Sequence, residues 1–268
     1  MQCPHCESMN TRHCKSKTVL GYRQFRCRSC NSQYNERTGT SYNKIHYPIE
    51  VITFTLYLYY RFRNSLDDVV ELMTTRGVHI SHQTVYNWVH TFGVEWAQKF
   101  RKIRHGMVGL KWHADATYIR VEGRWCYLYR AIDKEGNLVD VYLSDTRDQN
   151  AAENFFLQAE TTTGITPDQI TTDKEPALSP ALDNVFGNCT KHRDSKYMNN
   201  RIESDHRVTK SRLRIIKGFK DIFSAVRFCT VFEEMRQHFR MKHKSRAEKR
   251  KLLAPKICEF NKIAALVA

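Results

Sequence analysis

The order of strand and helix patterns in the middle of the chain is the feature that most constrains its fold. Residues 110–121, LKWHADATYIRV, alternate between apolar and polar side chains, as a half-buried β-strand does. Two further strand patterns follow, WCYLYRAI and LVDVYLS, and only the short turns VEGR and DKEGN separate the three. Because such short connections join neighbouring strands, this stretch predicts an antiparallel meander.

Helix and strand patterns alternate after this meander. The first helix pattern, QNAAENFFLQAETT, places four apolar residues on one face: Ala152, Phe155, Phe156 and Ala159. A strand in DQITTD, a helix around PALSPALDNV, a strand in VFGNC and a long helix from about Tyr197 to Lys217 follow. This order predicts an α/β domain with a mixed sheet, as in a ribonuclease-H-like fold, over residues 107–240.

Four of the nine cysteines have the spacing of a structural zinc site. Cys3 and Cys6 form one C-x2-C pair, and Cys27 and Cys30 form the second. Each pair offers two thiolates to one ion, and a four-sulfur set suits one Zn²⁺ per chain. The spacer resembles a hairpin with Gly21 at its turn, so residues 1–42 are predicted to form a zinc ribbon that the metal stabilises.

Other interpretations of the cysteines stay open at this point. The four thiols could be unrelated, and His13, beside Cys14, could replace one ligand. The remaining cysteines are interpreted as small buried residues: Cys126, Cys189, Cys229 and Cys258. The polar, cysteine-bearing start is not typical of a signal or transit peptide, so we expect reduced thiols.

Residues 43–106 predict a helical unit. Pro48 fits the first turn of one helix, Asn64 or Ser65 caps a second that ends at Gly77, and a third begins at Ser81 or His82. The third helix buries one apolar face, made of Val85, Trp88, Val89 and Phe92. The segment RKIRHGMVG is interpreted as a basic linker to the strands.

The last two of these helices resemble a helix-turn-helix. The second of them would direct a polar set away from the core: His82, Gln83, Tyr86, Asn87 and His90. Such side chains can contact base edges in a major groove. The alternative is a structural three-helix bundle that makes no DNA contact.

The charge of the chain favours a polyanion as its partner. The 43 Lys and Arg against 28 Asp and Glu give a net charge of +15, and 41% hydrophobic residues allow a proper core. No apolar run reaches the length of about 18 residues that spans a membrane. We therefore expect a cytoplasmic, nucleoid-associated protein that binds nucleic acid.

Three carboxylates are the candidate catalytic residues: Asp115 in the first strand, Asp173 directly after the fourth, and Glu203 on the long helix. Asp115 lies within an apolar alternation, where an unpaired carboxylate is costly. Clustered carboxylates need a neutralising cation, and oxygen ligands favour Mg²⁺ or Mn²⁺. Two such ions could activate a nucleophile and stabilise the leaving oxygen at phosphorus.

Three stretches closely resemble the catalytic core of DDE-type insertion-sequence transposases, in particular the insertion-sequence-six family. They are WHADATYIRVEGRWCYLYRAIDKEGNLVDVYLSDTRDQNAAENFF, ITTDKEPAL and KYMNNRIESDHRVTKSRLRIIKGFK. The resemblance implies that Asp115, Asp173 and Glu203 bind two Mg²⁺ or Mn²⁺ ions in a nuclease and strand-transferase. Two departures are a shorter separation of Asp173 from Glu203 and Ala116 where a glutamate is common.

The long helix combines a carboxylate with positive charge. Arg207, Lys210 and Arg214 share the face of Glu203, and we expect this stripe to hold DNA phosphates. His206 and Lys217 are further predicted DNA contacts, and Asp205 is expected to anchor the helix. Residues 241–268 form a basic tail whose last segment could pack on a second subunit.

Two hypotheses follow from the residues and the resemblance. The first is a transposase that binds the terminal inverted repeats of its element, cleaves phosphodiester bonds and transfers 3′-hydroxyl ends into double-stranded target DNA. Joining two ends implies a homodimer or a larger assembly on DNA. The second is a non-enzymatic regulator with a zinc ribbon and a helix-turn-helix, whose α/β domain only dimerises.

Overall fold

The computed structural model describes residues 1–194, 200–241 and 244–265. The first unit is a three-stranded antiparallel sheet of β1 (Thr11–Lys17), β2 (Arg23–Cys27) and β3 (Gln33–Asn35). Gly21 turns the chain between β1 and β2 with a φ of 86°, as the predicted hairpin requires. Its small core holds Cys3, Phe25, Cys27 and Tyr34.

Three helices follow in the predicted places: α1 (Ile49–Arg61), α2 (Leu66–Thr74) and α3 (His82–Arg104). Ser65 and Asp68 form a capping box at the start of α2, and Ser81 caps α3. The predicted basic linker is wrong in its first part, because α3 continues through Arg104. The reason is that Trp96, Ala97 and Phe100 extend the buried face of the helix by two further turns.

A five-stranded mixed sheet forms the centre of the molecule, in the order β6-β5-β4-β7-β8. The meander consists of β4 (Lys111–Val121), β5 (Arg124–Asp133) and β6 (Leu138–Ser144). The strand β7 (Gln169–Thr172) is parallel to β4, and β8 (Lys191–Asp194) is parallel to β7. The predicted α/β class with a ribonuclease-H-like mixed sheet is confirmed.

One predicted strand lies elsewhere. The segment VFGNC ends α5 (Leu178–Phe186) and continues as a 3₁₀ turn over Gly187–Cys189, whereas β8 begins at Lys191. Phe186 explains the difference, because its ring packs against Trp112 and Phe156 from the last turn of a helix. The edge strand β8 is polar and largely exposed, so it has no apolar alternation to reveal it.

The remaining helices are α4 (Gln149–Thr163), α6 (Asn200–Ile216), α7 (Ile222–His238) and α8 (Arg246–Ala265). The predicted start of the long helix, at Tyr197, lies outside the described residues. Its end at Ile216 agrees with the prediction to one residue, and Lys217 has a φ of 59°, which stops the helix.

Two hydrophobic clusters cover the two faces of the sheet. One contains residues of α4, α5 and the strands. The other joins α1, α2, α3, α7 and α8 to the opposite side of β4, β5 and β6. The helices of residues 49–104 therefore share a single core with the sheet rather than enclosing a core of their own.

The terminal helix α8 packs within its own chain. Phe260 and Ile263 are buried, and the Phe260 ring contacts the rings of Tyr57, Trp96 and Phe239. The expectation that the last segment packs on a second subunit is therefore wrong for these residues. In the described part of the chain, the structure contains no helix long and apolar enough to cross a membrane.

Candidate active site

Three secondary-structure elements bring the predicted carboxylates to one edge of the sheet. Asp115 lies in β4, Asp173 follows the last residue of β7, and Glu203 lies in the first turn of α6. The parallel register pairs His113 with Thr171, so β7 ends beside the strand position that precedes Asp115. Their electrostatic coupling shows that the three groups face the same region, because Asp173 and Glu203 both act on Asp115.

Asp115 is the most perturbed of the three. Burial, followed by the negative charge of Asp173 and more weakly that of Glu203, raises its pKa to about 7. The Asp115 side chain is 14% exposed, and its Oδ1 accepts a hydrogen bond from the Ala116 amide at 2.8 Å. A carboxylate with this pKa lacks enough positive charge around it, so the site suits a cation.

His206 is buried against Asp115. Its Nδ1 lies 3.7 Å from Asp115 Oδ2, and burial, with Arg130 and Lys210, lowers its pKa to about 3. The imidazole is therefore neutral beside the carboxylate. This position corrects the prediction that His206 contacts DNA, because a residue 4% exposed does not reach a phosphate on the surface.

A buried ion-pair network holds α6 on the sheet. Arg130 is fully buried and lies opposite Asp115 in the antiparallel register of β4 and β5. Its guanidinium contacts Asp205 at 2.6 Å and Glu233 at 2.8 Å. Thr209 donates to Glu233 at 2.6 Å, and Arg236 contacts both acids. The prediction that Asp205 anchors the helix agrees with these contacts, which lie two residues from Glu203.

A second ion pair lies beside Asp173. Arg147, which precedes α4, contacts Glu175 and donates to the Tyr118 hydroxyl at 2.8 Å. The backbone amide of Glu175 donates to Asp173 Oδ1 at 3.3 Å. Arg147 also opposes the rise in the pKa of Asp115, so its positive charge acts on the acidic site.

The exposed face of α6 carries the predicted positive stripe. Glu203 lies at the start of this face, and the positive residues that follow it are Arg207, Lys210, Arg214 and, beyond the end of the helix, Lys217. All of them are exposed, whereas Ile202 and Thr209 are buried on the opposite side. The stripe is thus accessible to a polyanion that approaches Glu203.

The polar face of α3 is also accessible. His82, Gln83, Tyr86 and Asn87 are exposed and His90 is half-buried. Two contacts link members that are four residues apart, since Gln83 donates to Asn87 at 2.8 Å and the Tyr86 and His90 rings lie 4.1 Å apart. The face is therefore ordered by its own side chains.

The four cysteines of the ribbon form one cluster. Their sulfur atoms all lie within 4.8 Å of one another, with Cys3 and Cys30 3.7 Å apart and Cys6 and Cys27 3.6 Å apart. A tetrahedral site with Zn–S bonds of about 2.3 Å requires sulfur atoms about 3.8 Å apart, so the geometry fits zinc. Hydrogen bonds from Ser32 lower the pKa of Cys30 to about 6, which favours a thiolate. Neither His13 nor Cys14 belongs to this cluster.

Comparisons with known proteins agree with this geometry. A family model described as a DDE domain matches residues 109–242, a range that contains Asp115, Asp173 and Glu203. The transposase for insertion sequence-like element IS431mec of Staphylococcus aureus is 36% identical over 186 residues, covering 66% of this chain and 81% of that protein. This chain belongs to the insertion-sequence-six family of DDE transposases. It is thus a DNA transposase, an enzyme of metal-dependent nucleic-acid cleavage and transfer.

Two further comparisons concern this transposase. The transposase for insertion sequence element IS257 in transposon Tn4003, also of Staphylococcus aureus, is 36% identical with the same coverage. Among solved structures, the HTLV-2 integrase catalytic core domain in complex with magnesium is 18% identical, with a TM-score of 0.40. That similarity covers 53% of this chain and 97% of the integrase core.

Sequence reasoning did not identify Arg130, Arg147 or Glu175 as part of the site. Arg130 could have been found, because a charged residue within the apolar run WCYLYRAI needs a buried partner as much as Asp115 does. Arg147 and Glu175 lie in polar loops without such a signal. Only the folded chain brings these two loops together.

Proposed function

We propose that this transposase cleaves the terminal inverted repeats of its element and transfers the 3′-hydroxyl ends to target DNA, with Asp115, Asp173 and Glu203 as its catalytic carboxylates. The observation that carries the proposal is that β4, the end of β7 and the first turn of α6 bring these three carboxylates to one edge of the sheet, within the residues that the DDE domain model matches. Without a neutralising cation, clustered carboxylates repel one another and also repel the DNA phosphates that the exposed positive stripe attracts.

The donor set of this site fits hard divalent cations, since it consists of carboxylate oxygens. Two Mg²⁺ or Mn²⁺ ions held by the three carboxylates would activate the attacking water or hydroxyl and stabilise the leaving oxygen. His206 packs against Asp115 from the buried side, and Arg130 contacts Asp205 on the helix that carries Glu203. Arg207, Lys210, Arg214 and Lys217 bind phosphates of the strand that is cut.

We assign DNA recognition to the amino-terminal half. In this proposal the zinc ribbon of residues 1–42 and the helical unit of residues 43–106 bind double-stranded DNA at the element ends. The contacts come from the polar face of α3, namely His82, Gln83, Tyr86, Asn87 and His90. Residues 107–240 form the catalytic domain, residues 241–268 form a basic tail, and the active species is a homodimer or larger assembly on DNA.

A strand-transfer assay with Mg²⁺ and end-containing oligonucleotides tests the catalytic assignment. We expect Asp115→Asn and Glu203→Gln each to reduce product formation by at least about a hundredfold, because each removes charge from the cation site. Asp183→Asn, at an exposed position of α5, serves as the matched control and should retain activity. Full activity of either triad variant would refute the assignment.

Metal analysis of the purified protein tests the ribbon separately. We expect about one zinc per chain, lost in Cys30→Ser and retained in Cys14→Ser, because only Cys30 belongs to the thiol cluster. The two variants make the same atomic change in one small unit. Zinc content near zero in the unmodified protein would rule out the site.

A further inference from the structure

The hairpin of β4 and β5 carries an exposed aromatic surface that the proposed reaction does not use. Trp125 is 61% exposed and Tyr118 is 50% exposed, and Tyr127 is half-buried beside them. The Tyr118 ring lies 5.3 Å from that of Tyr127 and 6.3 Å from that of Trp125. We call these three residues the aromatic platform. Adjacent large aromatic side chains exposed on a surface indicate a binding site.

Two arginines lie on the platform. The Arg120 guanidinium lies 5.9 Å from the centre of the Trp125 ring, and that of Arg147 lies 5.6 Å from the centre of the Tyr118 ring. Arg120 Nε donates to the carbonyl of Gly123. Because a carbonyl is a neutral acceptor, this contact does not compensate the positive charge of Arg120. Glu175 partly neutralises Arg147. The combination of ring faces and guanidinium groups matches a ligand with both a flat apolar part and a negative charge.

The platform adjoins the acidic site. The last residue of β7, Thr172, is level with Ala114 in the parallel register, so the part of β4 from Asp115 to Val121 extends beyond β7. Tyr118 lies on this extension, on the face opposite to Asp115. Arg147 connects the two places, because it contacts both Tyr118 and the loop that follows Asp173. A strand that leaves the acidic site around the end of β7 therefore reaches the platform.

We propose that the aromatic platform binds an unpaired nucleobase of the DNA strand that enters or leaves the acidic site, with neighbouring phosphates on Arg120 and Arg147. The proposal rests on the proposed function, since it concerns the same DNA. Bases inside a duplex have both faces covered by their neighbours, whereas an unpaired base exposes its faces to an aromatic ring on a sheet. Because every base offers such a face, this contact does not depend on sequence.

A second copy of this chain is the competing occupant, since aromatic rings also serve protein interfaces. Arg120 and Arg147 argue against it at this surface, because a symmetric contact would bring the same two arginines of each copy close together. The positive charge of these arginines attracts nucleic acid. Charge complementarity therefore favours the nucleobase.

Tryptophan fluorescence offers a direct readout. Of the four tryptophans, Trp88, Trp96 and Trp112 are buried, so quenching by DNA reports on Trp125. The protein of residues 1–268, loaded with zinc, is titrated without Mg²⁺ with a blunt duplex and with the same duplex carrying a short single-stranded overhang. We expect the overhang to quench Trp125 and to tighten binding about tenfold over the blunt duplex.

Three variants complete the experiment. Trp125→Ala should abolish the preference for the overhang and leave blunt-duplex affinity within about twofold, and Trp125→Phe should keep most of the preference. Phe223→Ala removes an aromatic ring from α7 that is 72% exposed, and it should change neither affinity. Equal binding of both DNAs by the unmodified protein, or an undiminished preference in Trp125→Ala, would overturn the proposal.

The outcomes separate this proposal from the proposed function. If the protein binds neither DNA, the proposed function fails, whereas tight but equal binding of both DNAs rejects only the platform. If Trp125→Ala instead weakens self-association in sedimentation, without an effect on DNA affinity, the platform is a protein interface and the nucleobase proposal is wrong.

Discussion

At the scale of single residues, Asp115 illustrates how a residue proposed to be catalytic opposes stability. Its side chain in β4 is 14% exposed, and burial together with the negative charges of Asp173 and Glu203 raises its pKa to about 7. An aspartate whose pKa is higher in the folded than in the unfolded state stabilises the fold only while protonated. The contribution of Asp115 to the free energy of unfolding is fully present below about pH 4 and is lost as the pH rises through about 7.

We therefore predict that Asp115→Asn stabilises the protein in the absence of Mg²⁺ while it abolishes cleavage. The free energy of unfolding should rise by roughly 2–4 kcal/mol at pH 8, and the gain should shrink towards pH 4, because the unmodified residue becomes neutral there. Urea denaturation of the zinc-loaded protein at both pH values measures the effect.

The exposed Asp183 gives the control for this measurement, since Asp183→Asn should change the unfolding free energy by less than about 0.5 kcal/mol. A loss of stability in Asp115→Asn at pH 8 would contradict the predicted electrostatic cost.

At the scale of elements, α6 owes its position to buried charge. Its apolar contacts are modest, because only one side is buried and its exposed face is charged. Asp205 and Thr209 instead connect it to Arg130 of β5 and Glu233 of α7. These hydrogen-bonded charges have directional geometry, so they also fix where Glu203 lies relative to Asp115.

We predict that Arg130→Ala lowers the free energy of unfolding by about 3–5 kcal/mol, because it removes the fully buried one of the two cations that Asp205 and Glu233 share and leaves only Arg236 to balance both acids. Arg124→Ala is the matched control. It removes an arginine of the same strand whose partner, Glu122, lies 2.9 Å away at the surface, and it should cost less than about 1 kcal/mol. Chemical denaturation compares the two, and similar losses would show that the buried network does not hold α6.

At the scale of the whole molecule, the helices of the amino-terminal half and the five-stranded sheet share one hydrophobic core. The helix α7 packs against α1 and α3 and also against β6, and α8 closes the same cluster. A change in the terminal helix should therefore affect both the amino-terminal helices and the central sheet.

We predict that Phe260→Ala destabilises the whole protein by about 3–5 kcal/mol, because it leaves a cavity among Tyr57, Trp96 and Phe239. Leu252→Ala, at a position of α8 that is 38% exposed, should cost less than about 1 kcal/mol. Thermal unfolding followed at several protein concentrations measures both. A loss that disappears at high concentration would indicate that α8 packs between subunits instead.

The sequence by itself determined the local units of this protein. The spacing of Cys3, Cys6, Cys27 and Cys30, the alternation of β4 and the apolar face of α3 predicted the ribbon, the meander and the helical unit, because these patterns depend on residues close in the chain. The resemblance to a transposase family further identified Asp115, Asp173 and Glu203 as the candidate catalytic carboxylates.

The tertiary structure alone decided how these units meet. The polar strand β8 has no periodic signal, and it forms because the open edge of β7 supplies its hydrogen bonds. Likewise Arg130 meets Asp205, His206 meets Asp115 and Arg147 meets Glu175 across long stretches of chain. Such contacts depend on which surfaces the core brings together, and local patterning carries no record of them.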